Sequence, residues 1–185
     1  GPRSSSSSEF QGAMRLFTSN KACDEYTMTT WTKYTERLLV LASHPAEGTW
    51  GRNAGARDAG GLHHPLILAF DMPVSITRNL WVEAGIANGS QAIMKALVFK
   101  SSVHQKDSIE AEDLLCAIVK MNPPYCGPSV SDSIPGLVPI PVVLHSFNVR
   151  KPSGESVTCT RKQLALRPDL ARTVHRAQGL TLDKV

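Results

Sequence analysis

No glycine–lysine pair occurs anywhere in the 185 residues. A self-sufficient nucleotide hydrolase needs a glycine-rich loop ending in Gly-Lys-Ser/Thr, so that backbone amides and a lysine together cradle the phosphates. Gly51 to Gly61 is glycine-rich but carries neither that lysine nor a following helical pattern, and it reads as a loop. A Gly-x-Ser-x-Gly turn is also missing, which excludes the strained serine elbow of many hydrolases. The four cysteines, Cys23, Cys116, Cys126 and Cys159, have no paired spacing, and with the adjacent His63 and His64 they form no zinc pattern. Reduced thiols in a reducing compartment are the economical reading. No apolar run approaches the ~18 residues of a membrane span, and Ser4 to Ser8 stand where a secretory signal would need an apolar stretch. The carboxylates Glu110, Glu112 and Asp113 sit before a strand pattern, where solvated loop charge is expected.

The chain is 42% hydrophobic, 19% charged and 6% aromatic, enough for one domain with a modest insertion. Its net charge of +4 is unevenly spread. Arg150 to Val185 holds eight Lys/Arg against Glu155, Asp169 and Asp183, or +5, while the remainder holds twelve basic and thirteen acidic residues, or −1. Such a tail suits an anionic partner, most often nucleic acid, although a solvated basic face has the same composition.

Residues 1–13 read as a tag and linker, with the natural segment starting at Met14. Arg15 to Thr18 is a strand candidate. From Asn20, a candidate N-cap, Ala22, Tyr26, Thr30, Tyr34, Leu38 and Leu41 recur at helical spacing. His44 to Gly61 is expected to be a mobile surface loop. Leu66 to Phe70 and Met72 to Ile76 are consecutive strand patterns, with Pro73 restricting the second to an edge or a strand start. Ala92 to Phe99 and Leu114 to Val119 are further strands. Met121 to Pro141, with six prolines, is expected to be an extended connection. Val142 to Val149, Ser156 to Arg161 and Gln163 to Leu166 are short β candidates. The ends therefore look α/β, and the middle looks like a small antiparallel barrel or meander.

The most chemically dense stretch is Thr173-Val174-His175-Arg176-Ala177-Gln178-Gly179-Leu180-Thr181-Leu182-Asp183. It strings hydroxyl, imidazole, guanidinium and amide groups between apolar residues, as phosphate contacts require. On its own, His175 could equally be a hydrogen-bonded structural histidine, and Gln178-Gly179 a helix C-terminus. This stretch resembles motif V of superfamily-one DNA helicases of the petite-integration-frequency (Pif) class, including the helicase portion of Helitron transposons. Leu16 to Glu25 is similar to the opening of that family's second motor domain. Asp58 to Leu62, Met72 to Ser90, and Val138 to Pro141 ahead of Gln163-Leu164 look like further family blocks. The likeness covers nearly all of Met14 to Val185 and is most specific over Thr77 to Gly89 and Thr173 to Leu182.

The resemblance implies an α/β fold: a partial RecA-like motor domain with an inserted small antiparallel β-barrel of Src-homology-three type. It divides the chain into the linker (1–13), the first part of the RecA-like domain (14–90), a β-rich insertion (91–162), and a return carrying motif V (163–185). It further implies a parent enzyme that is an ATP-dependent 5′-to-3′ DNA helicase, nuclear or mitochondrial within the cell. Thr77, Arg78, Trp81, Thr173, His175 and Arg176 would meet nucleic acid, and Gln178 and Gly179 would reach nucleotide. Of the three tryptophans, Trp31 is expected on the partly buried side of the helix and Trp50 in the loop, leaving Trp81 beside Arg78 as a base-stacking platform. ATP and Mg would belong to the intact parent, with no cofactor, metal or catalytic residue expected in the isolated chain. The 185 residues contain neither the phosphate loop of a first motor domain nor motif VI, so the chain alone is expected to be inactive. Single-stranded DNA is the expected partner, followed by the first motor domain or another protein, with no membrane. The alternative is a mobile-element-derived fragment acting as a protein-interaction or effector-like module. Pro168, Asp169 and Arg172 replace apolar residues of the family pattern, so the two charges must be desolvated or turned outward.

Overall fold

The computed structural model describes residues 14–46, 48–100 and 108–174. The chain opens with β1 (Arg15–Phe17) and α1 (Asn20–Trp31). Ser19, not Asn20, caps the helix: its hydroxyl accepts from the Ala22 N–H at 3.2 Å. The helix ends a full ten residues before the expected Leu41. Thr29, Thr30 and Thr32 weaken its last turn, and the Arg37 guanidinium donates to the carbonyls of Thr32 and Tyr34 beyond it. Leu38 and Leu41 instead belong to β2 (Arg37–Leu41), which lies between β3 (Leu66–Ala69) and β6 (Ser108–Glu110). Burial between two strands overrides the helical spacing.

The expected mobile loop at 44–61 is corrected as well. It contains α2 (Gly48–Asn53), and Ala59 and Leu62 are fully buried. The cause lies about a hundred residues away in sequence. Arg161, itself fully buried, donates to the carbonyls of Leu62 (2.7 Å), Gly51 (2.6 Å) and Ala54 (2.8 Å). Trp50 lies on α2 and packs against the Ala59, Phe147 and Cys159 cluster rather than in a loop.

β4 (Pro73–Ile76) starts at the proline as expected, after a bend at Asp71 with φ of 58°. β3 and β4 do not pair with each other; they enter different sheets. The larger sheet runs β10 (Leu166–Pro168), β4, β5 (Gln91–Phe99), β7 (Leu114–Met121), β8 (Leu137–Arg150), β9 (Ser156–Leu164). All its pairings are antiparallel. The expected connection to Pro141 is shortened, because Leu137 to Pro141 already pair with β7. Pro139 and Pro141 are tolerated because alternation turns their missing donors toward the edge that β7 leaves free. The outermost strands, β9 and β10, are consecutive in the chain around Ala165, yet they do not pair. The sheets are open and no barrel is closed among the described residues.

β11 (Ala171–Thr173) pairs in parallel with β1, joining the two ends of the described residues. The main core combines both larger sheets, from Val40, Leu66 and Leu68 to Met94, Val119, Ile140 and Leu164. The result is a strand-rich α/β fold. Asp169 and Arg172, placed where exposure was one option, are both buried and paired with each other.

Candidate nucleic-acid interface

Thr77 lies just past β4 and Thr173 ends β11, and the fold brings both to one groove of about 1320 Å³. Its lining includes α1 with Asn20, Asp24 and Trp31, the turn Ala56–Arg57 with Gly60–Gly61, and β10 to β11 with Arg167 and Arg172, together with parts of β2 and β3 and the Asn88–Gly89 turn. Trp31 is fixed by donation from its indole N–H to the Leu68 carbonyl at 2.8 Å, with the Arg37 guanidinium 5.7 Å from its ring centre.

The glycine turn requires its glycines. Gly60 has φ of +62° and Gly61 +86°. A Cβ at Gly60 would meet the His145 ring at 2.5 Å and Arg78 Nη1 at 2.9 Å, and one at Gly61 would meet the Thr77 carbonyl at 2.8 Å. The close approach covers two polar atoms, Thr77 Oγ1 and Arg78 Nη1, that have no hydrogen-bond partner among the described residues. The neighbouring His145 is held below the usual imidazole range by burial and by Arg78.

Behind the turn lies its anchor. Arg161 Nε donates to His44 Nε2 at 3.1 Å, and the His64 ring stands edge-on to His44 with centres 5.0 Å apart. The backbone N–H of Ala42 donates to His64 Nδ1 at 3.1 Å. Burial, then the Arg161 charge, pull His44 down to about 4, so it stays neutral and can accept from the guanidinium. His64 is lowered for the same reasons, and burial lowers Arg161.

Along β10 to β11 two arginines share one buried carboxylate, that of Asp169. Arg172 grips Asp169 with Nε at 2.6 Å and Nη2 at 2.5 Å, and Gln91 Nε2 adds a third contact at 3.2 Å. Arg167 donates to Ser75 Oγ at 2.9 Å, and its Nη2 is 4.0 Å from Asp169.

The expected site residues are thus only partly gathered. Thr77 and Thr173 share the groove, with Thr173 8% exposed. Arg78 is packed behind the glycine turn, and Trp81, 47% exposed, sits in a bridge with Ile86 outside the groove-lining set. His175, Arg176, Gln178 and Gly179 lie outside the described residues. The groove adds Arg57, Arg167 and Trp31, which sequence reasoning missed. Helical spacing alone could have shown that Trp31 shares a helix face with Asp24, but nothing local marks Arg57. Among the described residues no three His, Cys, Asp or Glu side chains come together, and no glycine–lysine loop exists.

The fold is a strand-rich α/β one that solved structures share. The likeness is to structures of Pif1 helicases. The crystal structure of Pif1 helicase from Candida albicans matches with a TM-score of 0.61 at 14% identity, covering 95% of this chain and 39% of that one. Bacteroides Pif1 bound to ssDNA matches with a TM-score of 0.60 at 18% identity over 99% of this chain and 35% of that one. Bacteroides Pif1 in complex with ADP-AlF3 and ssDNA matches with a TM-score of 0.58 at 17% identity, again over 99% and 35%. The chain therefore shares the fold of part of these Pif1 structures and spans well under half their length. No protein-family model matches the chain. No curated protein matches it significantly. No helix of the described residues is long and apolar enough to cross a membrane.

Proposed function

We propose that this chain is the nucleic-acid-binding C-terminal portion of a Pif-type, 5′-to-3′ DNA helicase motor, binding single-stranded DNA and hydrolysing no ATP by itself. In this reading residues 14–90 and 163–185 belong to the second RecA-like domain, and 91–162 to an inserted Src-homology-three-like unit. The observation that carries it is the convergence of Thr77 and Thr173 on one groove, within a fold whose neighbours include Pif1 structures bound to ssDNA. Guanidinium groups along a groove are a usual means of holding a phosphate backbone without reading sequence, and the buried Thr77 hydroxyl would shape the wall of the groove rather than touch the strand. Trp81 would contact the strand outside the groove, with His175 and Arg176 extending the track, and Arg78, packed behind the glycine turn, would have to swing out to join them. Gln178 and Gly179 would serve the nucleotide only in a parent carrying ATP and Mg. A Helitron-type or other mobile element is the proposed origin, and a nucleus or mitochondrion the proposed location.

The test is fluorescence anisotropy of a labelled oligo-dT against the full chain over a salt series. Binding that weakens steeply with salt is expected, since released counterions drive it. Lack of binding at 20 mM salt, roughly a threefold Debye length above physiological conditions, removes the reading.

The second reading, a helicase-derived protein-interaction module, draws on Trp81, Val82, Val130 and Ile134, which are exposed on two adjacent segments. Cys126 joins these segments through its N–H to the Ala84 carbonyl and its thiol to the Glu83 carbonyl. A protein partner that stays bound after nuclease treatment and is lost in Trp81→Ser favours this reading.

A further inference from the structure

Beyond the single-strand reading, we infer that the free edge of β8 is a self-association surface, where the same edge of a second copy of this chain pairs antiparallel about a two-fold axis at Ser146. β8 changes partners along its length. Leu137 to Pro141 pair with β7, whereas Val142 to Arg150 pair with β9 alone. Past Pro141, the side of β8 that β7 occupied has no strand on it among the described residues.

The ladder fixes which groups face that side. The Lys162 N–H donates to the Ser43 carbonyl at 2.8 Å and the Thr160 N–H to the Ala46 carbonyl at 3.4 Å, so both turn away from β8. In an antiparallel pair, residues opposite such positions turn their own N–H and C=O away as well. Leu144 stands opposite Lys162 and Ser146 opposite Thr160, and alternation adds Asn148 and Arg150. The N–H groups of Leu144, Ser146 and Asn148 find no backbone partner among the described residues. The side chains of these same residues are exposed, while Phe147 on the opposite face is buried against Ala59 and Cys159 and holds the strand in place.

Folded proteins usually blunt a free edge with proline, lysine, an inward charge or a bulge. β8 does so on one side only. Over 137–141 its side away from β7 carries Pro139 and Pro141, which present no donor there. Residues 142–150 contain no proline, lysine or acidic residue, and their register with β9 runs without a bulge. A foreign strand would need a matching unpaired edge, and a second copy brings one of equal length. The antiparallel register that uses the whole edge sets Ser146 against its own counterpart, Leu144 against Asn148, and Val142 against Arg150. No like charges meet, and the arrangement is the isologous one of a two-fold dimer. A single edge buries less than a standard interface, so the dimer is weak and forms with rising concentration.

Analytical ultracentrifugation of the full chain, without DNA, from micromolar to hundreds of micromolar protein tests this. The wild type is expected to pass from monomer to dimer. Ser146→Lys and Ser146→Glu each place like charges face to face at the axis and are expected to weaken the dimer at least about tenfold. An equimolar mixture of the two variants is expected to dimerise again, because only a register that pairs position 146 with itself brings the lysine onto the glutamate. Asn122→Lys, exposed beyond the far end of β7, leaves the wild-type behaviour unchanged. Thermal melts of the exposed Ser146 variants confirm that each is folded. A wild type that stays monomeric overturns the inference and leaves this edge to an extended segment of another protein. Dimers that persist in both single variants, or that the mixture fails to restore, overturn it as well. No outcome bears on the single-strand reading, whose test is binding of oligo-dT.

Discussion

Arg172 and Asp169, three residues apart across the turn into β11, form a two-pronged ion pair in the interior, with side chains 4% and 1% exposed. Two charges that look unsuited to a buried strand are thereby made compatible with it. The pair also ties β11 to its surroundings, because Gln91 on β5 donates to the same carboxylate and Arg172 Nη2 approaches the Gly89 carbonyl at 3.5 Å.

Breaking this pair from one side leaves a buried charge without compensation. Asp169→Leu is expected to destabilise the protein by about 3–5 kcal/mol. The double variant Asp169→Leu, Arg172→Met should recover most of that loss, since an apolar replacement of both partners avoids desolvating either charge. Urea denaturation of the three proteins checks both statements. A double variant as unstable as the single one would mean that packing, not charge, dominates here.

Arg161 predicts a different kind of loss. Arg161→Met leaves the carbonyls of Gly51, Ala54 and Leu62 and the His44 ring without their donor, at about 1–3 kcal/mol per unsatisfied group before relaxation. The expected net cost is at least about 3 kcal/mol. Hydrogen exchange should show protection lost first over 48–62, since those carbonyls anchor that segment. Uniform loss over the whole chain would contradict this local role.

Acid should loosen the same anchor. The folded-state pKa of His44, about 4, lies below its ordinary 6.5. The unfolded chain therefore binds more protons in between, and stability falls as pH drops from about 6.5 toward about 4, with the full contribution present above that window. Glu112, lowered by hydrogen bonds from Lys162 and Ser43, loses its contribution only below its ordinary 4.5. Thermal melts between pH 7 and pH 5 thus report chiefly on histidines. His44→Gln should flatten this slope, and an unchanged slope would discount the anchor as its source.

Gly60→Ala should cost about 1–3 kcal/mol, because it combines a left-handed backbone with a Cβ against the His145 ring. Adding His145→Ala removes the ring collision but leaves the Arg78 Nη1 contact at 2.9 Å and φ at +62°, so only part of the loss should return. Complete recovery in denaturation experiments would show that backbone strain contributes little at this position.

The legible parts of this fold are those in which local pattern and local chemistry agree. β5 and β7 follow the runs at Ala92 to Phe99 and Leu114 to Val119 closely, and Pro73 begins its strand. The site was legible only in fragments. Thr77 and Thr173 are hydroxyl residues in recognisable family blocks, whereas Arg57 sits among glycines and alanines that carry no local signal.

The amino-acid sequence by itself determined the antiparallel strand pattern of the middle, the α/β character of the ends, and the lack of a phosphate loop, because spacing and residue type are local properties. Tertiary structure alone decided where α1 stops, that 44–61 is anchored, and which charges face the groove. Those outcomes depend on partners distant in sequence: β3 and β6 for Leu38 to Leu41, Arg161 for the Gly51 and Leu62 carbonyls, and Asp169 for Arg172. A buried polar group must be satisfied by whichever donor or acceptor the fold brings to it, and that choice is made in space rather than along the chain.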